Sequence, residues 1–225
     1  MRHLTAFLAI VACVCALPLA AEGAKSPAKG SPSLTIAERP SAVTYGGAVT
    51  ISGQLKGTHH AGKTVGLQAN PYPFKGFTTR AVVKTDSKGA YRFVVKPVRH
   101  TRYRAVTPSP LTVYDTLVKS PEVLVHVRLR VGIRLSDSTP RRGSRVRFFG
   151  SVAPKHNGRA VYIQRRRRDG RWVTIARTKT RNATGNRSVY SKRVRIFRTG
   201  LYRVRVRGHA DHSTGTSRRR LIRVH

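Results

Sequence analysis

Apolar and polar residues alternate with a period of two along most of the chain. Val204 and Val206 sit between Arg203, Arg205 and Arg207. Val194 and Ile196 alternate with Arg193 and Arg195, and Val146 and Phe148 with Arg145 and Arg147. Successive side chains on a strand point to opposite faces, so this pattern buries aliphatics on one face and solvates arginines on the other. Turn-forming runs punctuate the alternation at Gly46-Gly47, Asp86-Ser87-Lys88-Gly89, Pro140-Arg141-Arg142-Gly143, Asp169-Gly170 and Arg198-Thr199-Gly200. Such residues pre-set turn conformations between strands. No segment carries helical spacing, and the pattern predicts an all-β protein.

The pattern is also written twice. Val49-Thr50-Ile51-Ser52-Gly53 matches Val146-Arg147-Phe148-Phe149-Gly150 at an offset of 97. His60-Ala61-Gly62-Lys63-Thr64-Val65-Gly66-Leu67-Gln68 matches His156-Asn157-Gly158-Arg159-Ala160-Val161-Tyr162-Ile163-Gln164 at 96, and Thr101-Arg102-Tyr103-Arg104 matches Gly200-Leu201-Tyr202-Arg203 at 99. Three blocks in one order with drifting offsets indicate duplication with loop insertions and deletions. They divide the chain into units at 34–127 and 128–225. About seven short strands per unit is the rhythm of an immunoglobulin-like sandwich. Val123-Leu124-Val125-His126-Val127-Arg128-Leu129-Arg130-Val131 crosses the boundary without a Gly, Ser or Pro linker. Unbroken alternation there predicts a restricted hinge and an elongated, spacer-like pair.

The succession Tyr45-Gly46-Gly47, Val49-Thr50-Ile51-Ser52-Gly53, Gly62-Lys63-Thr64-Val65, Gly89-Ala90-Tyr91-Arg92-Phe93 and Thr101-Arg102-Tyr103-Arg104-Ala105 resembles tandem bacterial Ig-like repeats. It is similar also to the carboxypeptidase-regulatory, transthyretin-like β-sandwich family. Trp172-Val173-Thr174-Ile175-Ala176, Gly185 and Gly200-Leu201-Tyr202-Arg203-Val204 echo it in the second unit. The resemblance implies two tandem Ig-like Greek-key sandwiches joined end to end. It implies spacer, adhesion or carbohydrate-facing roles and brings no catalytic set. The chain departs from the family's pattern in the arginine load of its second unit and in lacking a cysteine pair and acidic calcium-binding residues between the units.

The start of the chain reads as an export signal. Met1-Arg2-His3 is followed by an apolar run to about Ala21 that ends in Pro18 and small residues, so 1–21 is expected to be a signal peptide. Residues 22–33, rich in Pro, Ser, Gly and Lys, read as a flexible leader. Ile10-Val11-Ala12-Cys13 also fits a lipoprotein cleavage pattern that would leave Cys13 acylated, although Val14-Cys15-Ala16-Leu17 stays apolar where a lipidated arm is polar. Membrane association is expected only through the signal segment or that lipidation. Both cysteines, Cys13 and Cys15, fall in this segment, so the exported chain would carry no disulfide and no thiolate chemistry.

Charge sharpens the picture. The 225 residues hold 45 Lys and Arg against 8 Asp and Glu, a net charge of +37. Residues 34–127 contribute 13 basic and 4 acidic side chains, and 128–225 contribute 29 and 3. So few acids argue against carboxylate dyads and carboxylate-rich metal cages. The excess concentrates at Arg165, Arg166, Arg167, Arg168, Arg203, Arg205, Arg207, Arg218, Arg219 and Arg220, the candidate anion-contacting residues. Arg binds phosphate and carboxylate through paired donors. A GC-rich genome that encodes Arg freely, with the excess merely solvated, is the competing explanation. Specific nucleic-acid recognition is argued against by export and by the lack of a groove-reading helix or a base-stacking aromatic face.

The remaining motifs read as structural. Gly57-Thr58-His59-His60-Ala61-Gly62-Lys63-Thr64 matches the phosphate-binding loop pattern. That chemistry needs a following helix, whereas Gly66, Asn70 and Pro71 predict a strand, so the segment is expected to be a connecting loop. His209-Ala210-Asp211-His212, with His59, His60 and His156, falls short of a metal signature and reads as a solvated loop. No nucleophile-elbow phrase places a Ser/His/Asp set. No catalytic, cofactor or metal residues are therefore assigned. Pro71-Tyr72-Pro73-Phe74-Lys75-Gly76-Phe77 is an aromatic hairpin tip, and Tyr72, Phe74 and Phe77 form a possible ligand-contact loop beside the alternative that they only pack locally. Asn182-Ala183-Thr184 and Asn186-Arg187-Ser188 are formal glycosylation sequons. The expectation is a secreted, non-enzymatic bacterial cell-surface protein acting as a structural, adhesion or spacer module. Its basic second unit would contact anionic envelope polymer or acidic polysaccharide. The alternative is an accessory carbohydrate-binding or regulatory module working with a separate enzyme.

Overall fold

The computed structural model describes residues 32–57, 59–107 and 117–225. The signal segment 1–21 with Cys13 and Cys15, residues 22–31 of the leader and Thr58 of the phosphate-loop match lie outside the described residues. The described chain is all-β: it forms four sheets and contains no helix.

In the first half, Val49–Lys56 is flanked by Ser33–Leu34, Ala37–Arg39 and Ala90–Val95. A second sheet runs in the order Ala42–Thr44, Val123–Arg128, Thr101–Val106, Thr64–Pro71, Thr78–Lys84. Its first pair is parallel and the others are antiparallel. In the second half, Arg145–Ala153 pairs with Arg130–Val131, Arg134–Leu135 and Ser188–Arg195, which carries Arg181–Asn182 at its far side. The facing sheet runs Trp172–Lys179, Ala160–Arg166, Gly200–Val206, with Gly215–Thr216 and Arg220–Ile222 both along the last strand.

Alternation delivers the cores. Val49, Ile51 and Leu55 are fully buried on one strand, as are Val146, Phe148 and Val152 on its counterpart, while Arg145 and Arg147 point outward. Each such burial is worth about 1.5–3 kcal/mol. The buried side chains form two clusters, one spanning Leu34 to Val127 and the other Leu129 to Ile222.

The halves repeat individual hydrogen bonds as well as strand positions. The Tyr91 hydroxyl donates to the Thr35 carbonyl and the Tyr190 hydroxyl to the Gly132 carbonyl. Burial raises both phenols above their ordinary pKa. Gly53 and Gly150 lie beneath these bonds. A Cβ at either would collide with the accepting carbonyl and crowd the tyrosine hydroxyl, which explains a glycine within each strand. The Thr85 and Thr180 hydroxyls donate to the carbonyls of His60 and His156 and accept the backbone N–H groups of Lys63 and Arg159, each at 2.9 Å. Ser120 and Ser217 each accept a strand N–H, from Ala105 and Val204, at 2.9 Å.

The boundary segment continues the alternation: Val125 and Val127 enter the first cluster, Leu129 and Val131 the second. It is held from several sides. The Ser213 N–H donates to the Val127 carbonyl at 2.8 Å, the Leu129 N–H to Ser213 at 3.1 Å and the Tyr45 N–H to Arg128 at 2.8 Å. The turn 209–213 also reaches Val98 and His100 of the first half, where the His100 N–H donates to the Asp211 carbonyl at 3.0 Å.

Candidate functional site

Side chains with chemistry to offer gather in two places: an arginine surface on the second half and a histidine–aspartate cluster beside the boundary. The surface follows from strand register. Arg145 pairs directly with Arg195, and Arg147 with Arg193. All four are exposed. Directly opposed like charges destabilise a sheet by a few tenths of a kcal/mol or more, up to about 1 kcal/mol. Among the described residues, Arg171 beside Asp169 at 2.9 Å is the only arginine of this half within ion-pair distance of an acid. Beside these pairs a groove is lined by Arg134, Arg147, Arg181, Arg187, Arg218 and Arg220 together with Phe149, Val189 and Tyr190, with Arg220 contributed by the facing sheet. Arg147 lies over the Phe149 ring at 4.7 Å.

The arginines singled out from the sequence are distributed around this half. Arg165, Arg166, Arg167 and Arg168 line a basin with Arg142 and Arg198 around the Asp169 turn. Hydrogen bonds from the Arg171 backbone and side chain hold the Asp169 carboxyl below its ordinary pKa. Arg218 and Arg220 belong to the groove, whereas Arg205, Arg207 and Arg219 are exposed. Arg203 is half-buried, stacked on Trp172 at 4.1 Å with its Nε donating to Gln164 at 2.9 Å. Burial, then the neighbouring charges of Arg205 and Arg219, lower its pKa. Arg134, Arg145, Arg147, Arg181, Arg187, Arg193 and Arg195 were not among the candidates, although the alternation at Arg145/Arg147 and Arg193/Arg195 already marked four of them as outward-facing.

The aromatic tip joins Thr64–Pro71 to Thr78–Lys84. Tyr72 and Phe74 meet edge to face at 5.6 Å. Arg102 covers Phe74 at 4.8 Å and Arg104 covers Phe77 at 4.0 Å, while the Arg104 Nε donates to Gln68 at 2.8 Å. The trio Gln68, Arg104, Phe77 thus repeats the trio Gln164, Arg203, Trp172. One face of Phe74 and one of Phe77 are occupied by the protein's own guanidinium groups. The segment 57–64 connects two strands without a following helix, so it lacks the support a phosphate loop needs.

The loop 209–212 departs from the solvated reading. His209 and Ala210 are exposed, Asp211 is half-buried and His212 is 3% exposed. Turn formation between His209 and His212, with backbone bonds in both directions, pins the segment and drives the His212 ring inward. His156 Nε2 lies 3.2 Å from Asp211 Oδ1, and His212 Nδ1 lies 3.1 Å from Asp211 Oδ2. The two rings meet edge to face with centroids 4.9 Å apart. Within this cluster His212 Nδ1 is fully buried and makes no hydrogen bond, although Asp211 Oδ2 lies 3.1 Å away. His100 packs against His212 and His126, with its Nδ1 accepting the Val127 N–H at 3.0 Å. Burial lowers the pKa of His212 and of His100. Burial would raise the Asp211 carboxyl, but His156 and His212 together hold it below its usual range. His156, Asp211 and His212 present ligand atoms within 4.8 Å of one another, a set that includes none of His59, His60 or His209.

No known family model and no curated protein matches this chain.

Proposed function

We propose that the chain is a secreted, non-enzymatic protein of two tandem immunoglobulin-like sandwiches whose arginine-rich second half binds anionic polymers of the cell surface or exterior. The tandem reading is supported by the repeated tyrosine, threonine and serine bonds and by the separation of the buried clusters between Val127 and Leu129. A parallel pairing of Ala42–Thr44 with Val123–Arg128, within an otherwise antiparallel sandwich of crossing connections, accords with the immunoglobulin-like topology.

The observation that carries the binding reading is the direct opposition of Arg145 to Arg195 and Arg147 to Arg193 with no acid beside them among the described residues. A polyanion laid along this face relieves the repulsion and accepts forked hydrogen bonds from each guanidinium. The spacer and adhesion role rests on the same half-to-half continuity at 123–131. The accessory carbohydrate-binding reading rests on Tyr72, Phe74 and Phe77, and the arginines already covering Phe74 and Phe77 make it the weaker of the two.

Retention of the full chain on an acidic polysaccharide column over a salt series tests the proposal. Replacing Arg145, Arg147, Arg193 and Arg195 by Gln is expected to lower the eluting salt concentration markedly. Replacing Lys56, Lys84, Arg92 and Lys96 of the first half is expected to lower it only slightly. Equal shifts reduce the effect to net charge and overturn the reading, as does stronger retention on duplex DNA than on the polysaccharide.

A further inference from the structure

We propose that His156, Asp211 and His212 form a binding site for a first-row divalent transition-metal ion, with zinc as the expected occupant. This inference does not depend on the anion-binding reading. It starts from where the ring protons go. His212 Nε2 lies 2.8 Å from the Val98 carbonyl oxygen. A carbonyl only accepts, so Nε2 carries the proton and Nδ1 of the neutral ring presents a lone pair. His156 has an acceptor at each ring nitrogen, the Pro154 carbonyl 3.2 Å from Nδ1 and Asp211 Oδ1 3.2 Å from Nε2, and the tautomer protonated at Nδ1 leaves a lone pair on Nε2. The His212 lone pair faces Asp211, whose ionised carboxylate only accepts, and in that tautomer the His156 lone pair does so too.

His212 Nδ1 and the Asp211 carboxylate therefore meet as two acceptors, and His212 Nδ1 is buried without any hydrogen bond. A buried polar atom left in this way carries a penalty of about 1–3 kcal/mol. A cation held by His212 Nδ1 and the Asp211 carboxylate removes it, and His156 Nε2 becomes the third ligand in exchange for its bond to Asp211. The donor set is that of a two-imidazole, one-carboxylate zinc site with a position open for water. Two ligand atoms bound about 2.0–2.1 Å from one tetrahedral ion stand about 3.3 Å apart. The imidazole-to-carboxylate separations are 3.2 Å to Oδ1 and 3.1 Å to Oδ2, and the three ligand atoms as a set lie within 4.8 Å of one another, so the two loops draw in around a bound ion. His212 spends its remote N–H on the Val98 carbonyl, the arrangement that fixes tautomer and orientation in metal-binding histidines, and the Pro154 carbonyl offers His156 Nδ1 the same partner. An opening beside the cluster, lined by Arg207, Gly208, His209, Ser213 and Thr214, provides access to His212.

The position gives the ion a structural role. His156 lies in the loop after Arg145–Ala153, and Asp211 and His212 lie in the turn after Gly200–Val206. That turn bonds Val98, His100, Val127 and Leu129. A bound ion ties together two loops of the second half and fixes the turn that holds the boundary segment. With no cysteine outside Cys13 and Cys15, the chain has no disulfide with which to do this.

Calorimetric titration of the tag-free full chain, stripped with chelator, with zinc alone tests the site. One ion per chain and a zinc-dependent rise in melting temperature are expected. His156→Gln and Asp211→Asn are expected to weaken that binding about tenfold or more, and His209→Ala to leave it unchanged. Visible spectra of the cobalt-loaded protein report the coordination directly and should lose their four-coordinate bands in Asp211→Asn. Binding that survives both ligand substitutions, or that His209→Ala abolishes, assigns the metal to surface histidines and overturns the proposal. So does absence of stoichiometric binding by a wild-type chain shown to be folded by circular dichroism.

Discussion

Arg147 stands directly opposite Arg193 on the neighbouring antiparallel strand, and two residues along Arg145 opposes Arg195. The pairs share one exposed face, so their repulsion is built into the sheet. Screening should relieve it, since the Debye length falls from about 10 Å at 0.1 M salt to about 3 Å at 1 M. The melting temperature of the wild-type chain is expected to rise with sodium chloride over that range. Arg193→Glu is expected to add about 0.5–1 kcal/mol at low salt and to flatten the salt dependence. Thermal denaturation of both proteins across a salt series checks this, and parallel salt curves would count against it.

Arg203 acts as a packing residue as well as a charge. It covers Trp172 at 4.1 Å and bonds Gln164, which is 7% exposed, at 2.9 Å. Arg203→Ala is expected to cost about 1–3 kcal/mol through the lost stack and the weakened bonding of a buried amide. Arg203→Lys keeps the charge and loses the planar fork, and should recover little of it. Arg104→Ala should behave alike through Phe77 and Gln68. Urea denaturation of the four proteins provides the measurement, and full rescue by lysine would reduce Arg203 to a point charge.

Gly150 has no room for a side chain. A methyl group there meets the Gly132 carbonyl and the Tyr190 hydroxyl. Gly150→Ala is expected to destabilise by about 2 kcal/mol or more, as overpacking does in tight cores. Adding Tyr190→Phe should not restore stability, because the carbonyl clash remains. Gly53→Ala should show the same behaviour against Thr35. Recovery in the double variant, read by urea denaturation, would place the strain in the hydroxyl alone.

Tyr190 is buried, and its pKa in the fold is raised above the ordinary 10.0. The folded chain therefore keeps the proton at a pH where the unfolded chain has lost it. The Tyr190 contribution is fully present below pH 10.0 and is lost as pH rises from there toward the folded value. Tyr91 adds to the slope in the same direction. Stability from urea denaturation at successive pH values above 9 is expected to fall more steeply in the wild type than in Tyr190→Phe. Equal slopes would show that the Tyr190 phenol is not held neutral by the fold.

Much of the architecture is legible in the order of residues alone. Strict alternation in 145–148 and 203–206 named which residues enter the core, because a strand's two faces follow directly from odd and even positions. The matched blocks also align Gly53 with Gly150 and Gln68 with Gln164, positions beside which paired hydrogen bonds of the fold lie. The arginine candidates were less complete. Runs such as Arg165–Arg168 stand out in one dimension, whereas the opposition of Arg147 to Arg193 exists only once two strands are in register.

Sequence by itself determined the strand pattern, the recurrence of matched blocks and the concentration of positive charge in residues 128–225, because each is a property of neighbours along the chain. Tertiary structure decided the histidine–aspartate cluster. His156 and Asp211 are 55 positions apart, and nothing in either loop's composition shows that the His212 ring turns inward to join them. That convergence comes from the turn at 209–213 docking on Val98, His100 and Val127 through backbone bonds. Backbone donors and acceptors are the same in every residue type, so which of them meet is set by the packing of the sheets and leaves no mark in the order of side chains.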